Sequence, residues 1–211
     1  MLKPLTKEQT DRILSIAAEE FADKGYAGTA VGSIAKKAGV SVGVIYKYYA
    51  GKDDLFNACV RKSLGSMEEV LDMTGSDGGS LMDMIENLIR RVQAFAKEKP
   101  EYIRLYHQIT VSGSPAGKTQ SAELIEGGTA KIYSEFIKRA AESGEIRADI
   151  DPSAFAFLID DLLMMLHFSY ACDYYKDRFR IYFGEDAAAR DEMVRDQMLK
   201  FIGSALKAEA R

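Results

Sequence analysis

The chain has 211 residues and a formal net charge of -4 at pH 7; 47% of its residues are hydrophobic and 28% are charged. This balance allows a buried core and excludes a globally disordered chain. The two cysteines, Cys59 and Cys172, lie far apart, which excludes a disulfide framework and favours reduced thiols in a cytoplasmic protein. The N-terminus lacks the apolar stretch of a signal peptide, and Asp160 and Asp161 precede the most apolar run. We therefore expect neither secretion nor a membrane span.

Charge is unevenly distributed along the chain. Residues 1–62 contain 10 Lys and Arg against 7 Asp and Glu, a net charge of +3, whereas the rest of the chain has a net charge of -7. A basic segment attached to an acidic body indicates that only the N-terminal segment meets a polyanion such as nucleic acid. The difference is small, so this inference depends on the motifs that follow.

The first helix is predicted from a capping box and an apolar stripe. Thr6 and Gln9 have the spacing of a capping box, in which each side chain satisfies a backbone N–H at the helix start. Apolar residues then recur at helical spacing, and Gly25 is expected to end the helix. The stripe consists of Ile13, Leu14, Ala17, Ala18 and Phe21.

Two short helices joined by a glycine turn come next. The second helix is predicted to start after Thr29 and to end at Gly39, and the third is capped by Ser41 and runs to about Tyr49. A helix-turn-helix needs a residue in its turn that adopts positive φ, and Gly39 supplies it. In such a motif the N-terminal residues of the second helix face the major groove of DNA.

The rest of the chain also has helical periodicity, without strand alternation or a repeat of fixed period. Residues 75–80 form a flexible breaker, and residues 111–118 are predicted to be a loop. The sequence therefore predicts an all-α protein of about nine helices. The last six are expected at about Lys52–Met73, Leu81–Ala96, Pro100–Ile109, Thr119–Ser143, Pro152–Tyr175 and Asp186–Lys207.

The stretch from Ala17 to Val60 resembles the TetR family of transcriptional regulators. The resemblance implies a three-helix helix-turn-helix DNA-binding domain over residues 1–55 and a helical effector-binding and dimerisation domain over residues 56–211. The residues that carry it are Ala17, Ala18, Phe21, Gly25, Tyr26, Thr29, Ile34, Ala35, Ala38, Gly39, Val40, Ser41, Gly43, Val44, Ile45, Tyr46, Lys47, Tyr48, Tyr49, Lys52, Asp53, Asp54 and Leu55.

The resemblance also implies which residues meet DNA. Residues 42–44 correspond to positions that approach base edges, where valine offers only methyl contact. Lys52 corresponds to a phosphate-binding lysine, and Lys36 and Lys37 are further candidates for phosphate contacts. Packing is the alternative role for the two tyrosines among the candidates. The expected DNA-binding residues are Thr29, Ser41, Val42, Gly43, Val44, Tyr46, Lys47, Tyr48 and Lys52.

An effector pocket is implied for the second domain. A mainly apolar cavity with a few polar groups suits a small apolar or aromatic molecule. Ordinary core packing is the alternative for aromatic residues at helical spacing. The expected effector-binding residues are Phe95, Tyr106, His107, Tyr133, Met164, His167 and Phe168.

Apolar positions on the last two helices predict pairing with a second copy of the chain around a two-fold axis. Such a homodimer matches a pseudo-palindromic operator in double-stranded DNA. The resemblance implies a repressor that its effector releases from DNA. An activator, or a helical ligand-binding or scaffold protein that does not use DNA, is the alternative. The apolar positions are Phe157, Leu158, Leu162, Met165, Val194, Met198, Phe201, Ile202 and Ala205.

Enzyme motifs are absent from the sequence. It has no phosphate-binding glycine loop, no HExxH and no Cys-x-x-Cys. Asp160 and His167 share a helix face, but a third metal ligand would have to come from elsewhere. We therefore expect no catalytic activity, no cofactor and no metal ion.

Overall fold

The computed structural model describes residues 4–72, 79–112, 122–185 and 187–207, and within these ranges every regular element is a helix. The all-α class predicted from the sequence is confirmed, with ten helices in the described ranges where about nine were expected. They are α1 (Lys7–Gly28), α2 (Val31–Ala38), α3 (Val42–Tyr48), α4 (Lys52–Asp72), α5 (Leu81–Glu98), α6 (Pro100–Ser112), α7 (Ala122–Glu142), α8 (Pro152–Ala171), α9 (Asp173–Phe183) and α10 (Ala187–Leu206).

The extra helix arises at Cys172. The sequence predicted one helix from Pro152 to about Tyr175, but Cys172 has extended dihedral angles, φ -101° and ψ 131°. Its N–H still donates to the carbonyl of Phe168 at 2.9 Å, so the residue closes α8, and α9 begins at the next position. Hydrophobic periodicity continues across such a break and therefore does not reveal it.

Other expected boundaries hold, shift or fall outside the described residues. Gly25, the expected end of the first helix, has non-helical dihedral angles of φ 67° and ψ 168°, but α1 continues to Gly28. Thr6 Oγ1 accepts a hydrogen bond from Gln9 N at 3.2 Å and Gln9 Oε1 accepts one from Thr6 N at 3.0 Å, which confirms the capping box. α6 extends to Ser112, further than expected, whereas residues 113–118 of the predicted loop lie outside the described ranges. So do residues 73–78, 119–121 and 186, where we placed a breaker and three helix ends.

The first compact unit comprises residues 1–66 and 99–120, so it contains α1 to α3, most of α4, and α6. Ser63 Oγ in α4 donates to the carbonyl of Tyr102 in α6 at 2.9 Å, and Ser15 Oγ in α1 donates to Glu101 Oε1 at 2.6 Å. The domain boundary expected at residues 55 and 56 stays a prediction. Fully buried core residues of this unit include Ile13, Ala17, Phe21, Ile34, Ile45, Leu55, Phe56, Ile103 and Leu105.

The second compact unit comprises residues 67–98 and 121–211, with α5, α7, α8, α9 and α10. A polar network joins three of these helices. Tyr170 Oη in α8 donates to Asp191 Oδ1 in α10 at 2.5 Å, and Gln93 Nε2 in α5 donates to Tyr170 Oη at 3.1 Å. Lys97 in α5 forms an ion pair with Asp191. Buried polar groups that are satisfied in this way fix the register of packed helices.

Among the described residues, α8 is long and apolar enough to cross a membrane, although Asp160 and Asp161 lie within it. Half of its most apolar window is buried inside the protein, and the core helix of a soluble protein meets the same criteria.

Candidate nucleic-acid interface and effector-binding residues

The turn between α2 and α3 has the geometry that a helix-turn-helix requires. Gly39 adopts the left-handed conformation, with φ 71° and ψ 30°. Its N–H donates to the carbonyl of Lys36 at 3.3 Å, and the N–H of Val40 donates to the carbonyl of Ala35 at 3.0 Å. An L-residue with a side chain is strained in this conformation, so glycine is the residue that closes α2 at low cost.

Helix α3 begins directly after this turn and has one buried and one exposed face. Ser41 Oγ accepts a hydrogen bond from the N–H of Val44 at 3.3 Å, which confirms the predicted cap. Ile45 is buried in the first unit, as is Tyr49 at the end of the helix. Most of the predicted DNA contacts are exposed, namely Ser41, Val42, Gly43, Tyr46, Lys47 and Tyr48, and Val44 is half-buried.

Thr29 lies inside the unit and not on its surface. Only 3% of it is exposed, and its hydroxyl lies 2.9 Å from the carbonyl oxygen of Glu20 and 2.8 Å from that of Gly25. These contacts hold the connection between α1 and α2. The phosphate contact expected for Thr29 therefore receives no support from its position.

Tyr48 connects α3 to the start of the chain. Its hydroxyl oxygen accepts a hydrogen bond from the N–H of Leu5 at 2.7 Å, and the ammonium of Lys47 lies 5.6 Å from the centroid of its ring. The hydroxyl hydrogen of Tyr48 can still be donated to a phosphate. Both roles considered for this tyrosine, packing and backbone contact, are compatible with this placement.

Lys52 is the first residue of α4 and is half-buried. Its ammonium lies 4.5 Å from the centroid of the Tyr26 ring and 3.4 Å from the carbonyl oxygen of Ala27. Asp54 Oδ2 accepts a hydrogen bond from the N–H of Ala50 at 3.0 Å at the same helix start. The predicted phosphate-binding lysine is thus held at the N-terminus of a helix, where backbone N–H groups also favour an anion.

A buried carboxylate that we did not predict joins α1 to α2. Glu20 is 1% exposed and lies 2.7 Å from the ammonium of Lys24 and 2.6 Å from that of Lys37. Ser33 Oγ donates to it at 2.9 Å. Hydrogen bonds from the two ammonium groups lower the pKa of Glu20 to about 2. The signal in the sequence was the position of Glu20 beside Phe21, on the apolar stripe of α1.

The carboxylate of Glu20 gives Lys37 a structural role that the sequence did not predict. The Lys37 ammonium is an internal partner of Glu20, and that hydrogen bond raises the pKa of Lys37. Lys36, the other phosphate-contact candidate in α2, is exposed. Both lysines are exposed, but Lys37 is held by its ion pair with Glu20.

Five of the seven expected effector-binding residues lie in the second unit. The rings of Phe95 in α5 and His167 in α8 are in edge contact, with centroids 6.3 Å apart. The ring centroids of Phe168 and Tyr175 lie 5.5 Å apart. Tyr133 in α7 is buried, and burial raises its pKa, with a smaller contribution from the charge of Asp160. Met164 is half-buried.

His167 stands out among these residues. It is 9% exposed, and its Nε2 has no hydrogen-bond partner among the described residues. Burial lowers the pKa of the imidazole to about 4, so the ring is neutral at pH 7. A buried nitrogen without a partner carries a desolvation cost that a hydrogen bond from a ligand or water would remove.

The other two expected effector-binding residues, Tyr106 and His107, belong to α6 and hence to the first unit. Tyr106 is buried and His107 is half-buried, and burial lowers the pKa of His107. Among the described residues, no group of three or more His, Cys, Asp or Glu side chains is placed to hold a metal ion.

An apolar groove of about 350 Å³ lies between α8 and α10 in the second unit. Several large apolar side chains of these helices are exposed, including Phe157, Leu158 and Phe201. The groove is lined by Phe155, Leu158, Ile159, Asp161, Leu162, Met165, Phe201, Ile202 and Ala205. Six of the nine apolar positions predicted for dimerisation are among its lining residues.

Comparison with known proteins identifies the helix-turn-helix segment. Residues 13–59, which span α1 to α4, match the family described as "Bacterial regulatory proteins, tetR family". Over these residues the chain is similar to the tetR family of bacterial regulatory proteins. This tetR-family match covers the buried stripe of α1, the Gly39 turn, α3 and the Lys52 end of α4, so the residues that carried the resemblance are the ones that the structure assembles in its first unit.

Curated relatives match between about a quarter and three quarters of the chain. The HTH-type transcriptional regulator HbdR of Aromatoleum sp. (strain CIB) is 35% identical over 65 residues, 31% of this chain and 28% of HbdR. The fatty acid metabolism regulator protein of Bacillus subtilis (strain 168) is 24% identical over 140 residues, 66% of this chain and 72% of that protein. The chain spans only about a third of the length of the curated relatives that it matches first.

Solved structures share the fold over nearly the whole chain. The crystal structure of AibR in complex with isovaleryl coenzyme A and operator DNA superposes with a TM-score of 0.66 and 20% sequence identity, covering 92% of this chain and 97% of AibR. At this identity the likeness concerns the fold alone.

Proposed function

We propose that this chain is a DNA-binding transcriptional regulator of the tetR family, and that it represses until an effector releases it from DNA. The observation that carries the proposal is the exposed face of α3, which begins at the Gly39 turn and the Ser41 cap. If α3 had only a packing role, we would expect its apolar side chains to be buried. Val42 and Tyr46 are instead exposed beside Lys47.

On this proposal α3 enters the major groove. Residues 41–44 approach base edges, with methyl contacts from the two valines. Tyr46, Lys47 and Tyr48 then contact the sugar-phosphate backbone or the edge of a base, and Lys52 binds a phosphate from the start of α4. Thr29 has a different role in this scheme, since it holds the α1–α2 connection from inside the unit.

We propose that the working form is a homodimer whose partner fills the groove between α8 and α10. Side chains such as Phe201, 66% exposed, would be covered by the same helices of a second copy related by a two-fold axis. A dimer presents two α3 helices, which must lie about 34–36 Å apart to enter successive major grooves on one face of the duplex. The operator would accordingly be pseudo-palindromic.

The effector that we propose is a small apolar or aromatic molecule. Support comes from the aromatic side chains of Phe95 and Tyr133 in the second unit and from the unpartnered Nε2 of His167. AibR, which has the same fold, was solved with isovaleryl coenzyme A and operator DNA, and this supports a small-molecule effector for the present chain. A buried neutral imidazole suits an uncharged hydrogen-bonding group on the effector.

Release from DNA requires the effector to favour one conformation over another. Helix α4 is continuous from Lys52 in the first unit to residues of the second, so a displacement of its far end moves Lys52 as well. Conversion from almost fully bound to almost fully free needs about 5.5 kcal/mol of differential affinity. Several apolar contacts and one or two hydrogen bonds supply free energy of this size.

We propose a cytoplasmic location and no catalytic activity.

Selection of bound sequences from a pool of random duplex DNA tests the proposed function. We expect enrichment of a site with two-fold symmetry, bound with a steep salt dependence. Lys47→Ala should weaken binding to the selected site more than to unselected duplex if its ammonium reaches a base, whereas equal losses would make it a backbone contact. Lys131→Ala, at an exposed position of α7, is the matched control. A chain that enriches no sequence and binds no duplex at low salt would contradict the proposal.

A further inference from the structure

The aromatic ring of Tyr26 forms a platform under the ammonium of Lys52. The ammonium lies 4.5 Å from the ring centroid, which is within the range of a cation–π interaction. A second contact, 3.4 Å to the carbonyl oxygen of Ala27, lies in the same last turn of α1. Two groups from one segment, 25 and 26 residues away in sequence, thus meet the side chain at the start of α4.

The platform is itself held in place by the core. The Tyr26 ring makes an edge contact with Phe56, with centroids 5.3 Å apart, and lies 6.1 Å from the ring of Phe21. Gly25 before it has φ 67°, a conformation that redirects the chain at the end of α1. Since Phe56 belongs to α4, one turn after Lys52, the same ring contacts both the side chain that it supports and the helix from which that side chain extends.

We infer that Tyr26 is a positioning residue that orders the Lys52 ammonium for a phosphate of the DNA backbone. This inference rests on the proposed function, because it assigns Tyr26 a role in DNA binding that acts through Lys52. A lysine side chain is flexible and loses conformational entropy when its ammonium is fixed by a ligand. Contacts with the ring and the Ala27 carbonyl restrict the side chain before DNA arrives, so less entropy is lost on binding.

Loss of the phosphate contact and loss of side-chain ordering have different effects on DNA binding. Removing the ammonium deletes one phosphate contact, and the salt slope of binding then falls by about 0.9 units. Removing only the platform leaves the contact in place but costs ordering, so affinity falls while the salt slope stays as it was. Ordering one flexible side chain on binding corresponds to a change of about threefold in affinity.

Binding to a fluorescent duplex of arbitrary sequence, measured by anisotropy from low to moderate salt, provides the test, since phosphate contacts do not depend on sequence. Tyr26→Leu should weaken binding about threefold at each salt concentration with an unchanged slope, whereas Tyr26→Phe, which keeps the ring, should bind as the parent chain does. Lys52→Met should lower the slope. In the Lys52→Met background, Tyr26→Leu should then have no further effect. Tyr174→Leu, at an exposed tyrosine of α9, is the control.

If Tyr26→Leu weakens binding as much in the Lys52→Met background as in the parent, Tyr26 does not act through Lys52 and the inference is overturned. An unchanged affinity for Tyr26→Leu overturns it as well. Thermal melting shows whether Tyr26→Leu is folded, and if it is not, Tyr26→Met replaces it in the same cycle. Failure of the parent chain to bind any duplex removes the proposed function, and the inference with it.

Discussion

Glu20 Oε1 and Lys37 Nζ lie 2.6 Å apart, and this pair joins α1 to the last turn of α2 in the first unit. The carboxylate is buried, whereas the lysine is half exposed, and Lys24 and Ser33 supply the remaining hydrogen bonds to the carboxylate. A buried charge is tolerated only when it is paired and hydrogen-bonded, and Glu20 meets both conditions. The helix that leads into the Gly39 turn is thereby anchored to α1 by an electrostatic contact in addition to apolar packing.

Glu20→Gln should lower the free energy of unfolding by about 2 kcal/mol at pH 7, because it removes the charge that two ammonium groups neutralise. The folded pKa of Glu20, about 2, is below its usual value of 4.5. Its contribution to stability is therefore fully present above about pH 5 and is lost as the pH falls towards 2. Urea unfolding at pH 7 and pH 3 measures both effects.

The control for this prediction is Glu19→Gln, at the neighbouring half-buried position of α1. It should leave stability within about 0.5 kcal/mol of the parent chain. An equal loss of stability for the two variants at pH 7, or an undiminished fall between pH 5 and pH 2 in Glu20→Gln, would show that Glu20 is not the anchor.

Gly39→Ala should destabilise the first unit by about 1–2 kcal/mol, because Gly39 has φ 71° and an added methyl group strains this conformation. No atom lies within 4 Å of the position that a Cβ would take, so backbone strain and not a clash is the cause. Gly32→Ala is a control with the opposite sign. Gly32 lies within α2 with open space around its Cβ position, so alanine there should stabilise by about 0.5–1 kcal/mol. Thermal and urea unfolding would reveal the difference, and shifts of the same sign would contradict the prediction.

His167 should make the second unit less stable in mild acid. Burial lowers the folded pKa of His167 to about 4, whereas an unfolded histidine titrates near 6.5. The unfolded chain therefore binds the proton more readily, so the contribution of His167 is present above pH 6.5 and is lost as the pH falls to about 4. This loss amounts to about 3 kcal/mol.

His167→Phe should flatten the dependence of unfolding free energy on pH between 6.5 and 4, as measured by urea unfolding. The chain has two histidines, and His107 is only half-buried. His107→Phe should consequently remove a smaller part of the slope. If instead His107→Phe flattens the curve and His167→Phe does not, the titrating group has been assigned to the wrong histidine.

Phe201→Glu should prevent dimer formation while the chain stays folded. Phe201 is largely exposed and lines the α8–α10 groove, so a charge there costs little in the single chain but is buried without a partner in the dimer. Sedimentation velocity at micromolar concentration should show a dimer for the parent chain and a monomer for the variant. Ile181→Glu, at an 82% exposed position of α9 outside the groove lining, is the matched control and should sediment as the parent does. A monomeric parent chain would contradict the proposed interface.

The elements that the sequence predicted well are those whose determinants are local. The capping box of Thr6 and Gln9, the turn at Gly39 and the cap at Ser41 each involve residues within a few positions of one another. The dihedral preferences and side-chain caps that set these features act over a single turn of chain, so they can be recognised without knowledge of the fold.

By itself the sequence determined an all-α chain, a helix-turn-helix near its N-terminus and the stripe that α1 buries. Only the tertiary structure decided that α6 belongs with α1 in the first unit, that Thr29 is buried, that Glu20 pairs with Lys37 and that Tyr26 lies against Lys52. These features depend on residues up to 86 positions apart, and how the helices pack decides whether such residues meet. Hydrophobic periodicity indicates which face of a helix is buried, but it does not indicate which residues cover that face. Those covering residues decide whether a polar side chain forms an internal ion pair, supports a neighbouring side chain or is free to contact DNA.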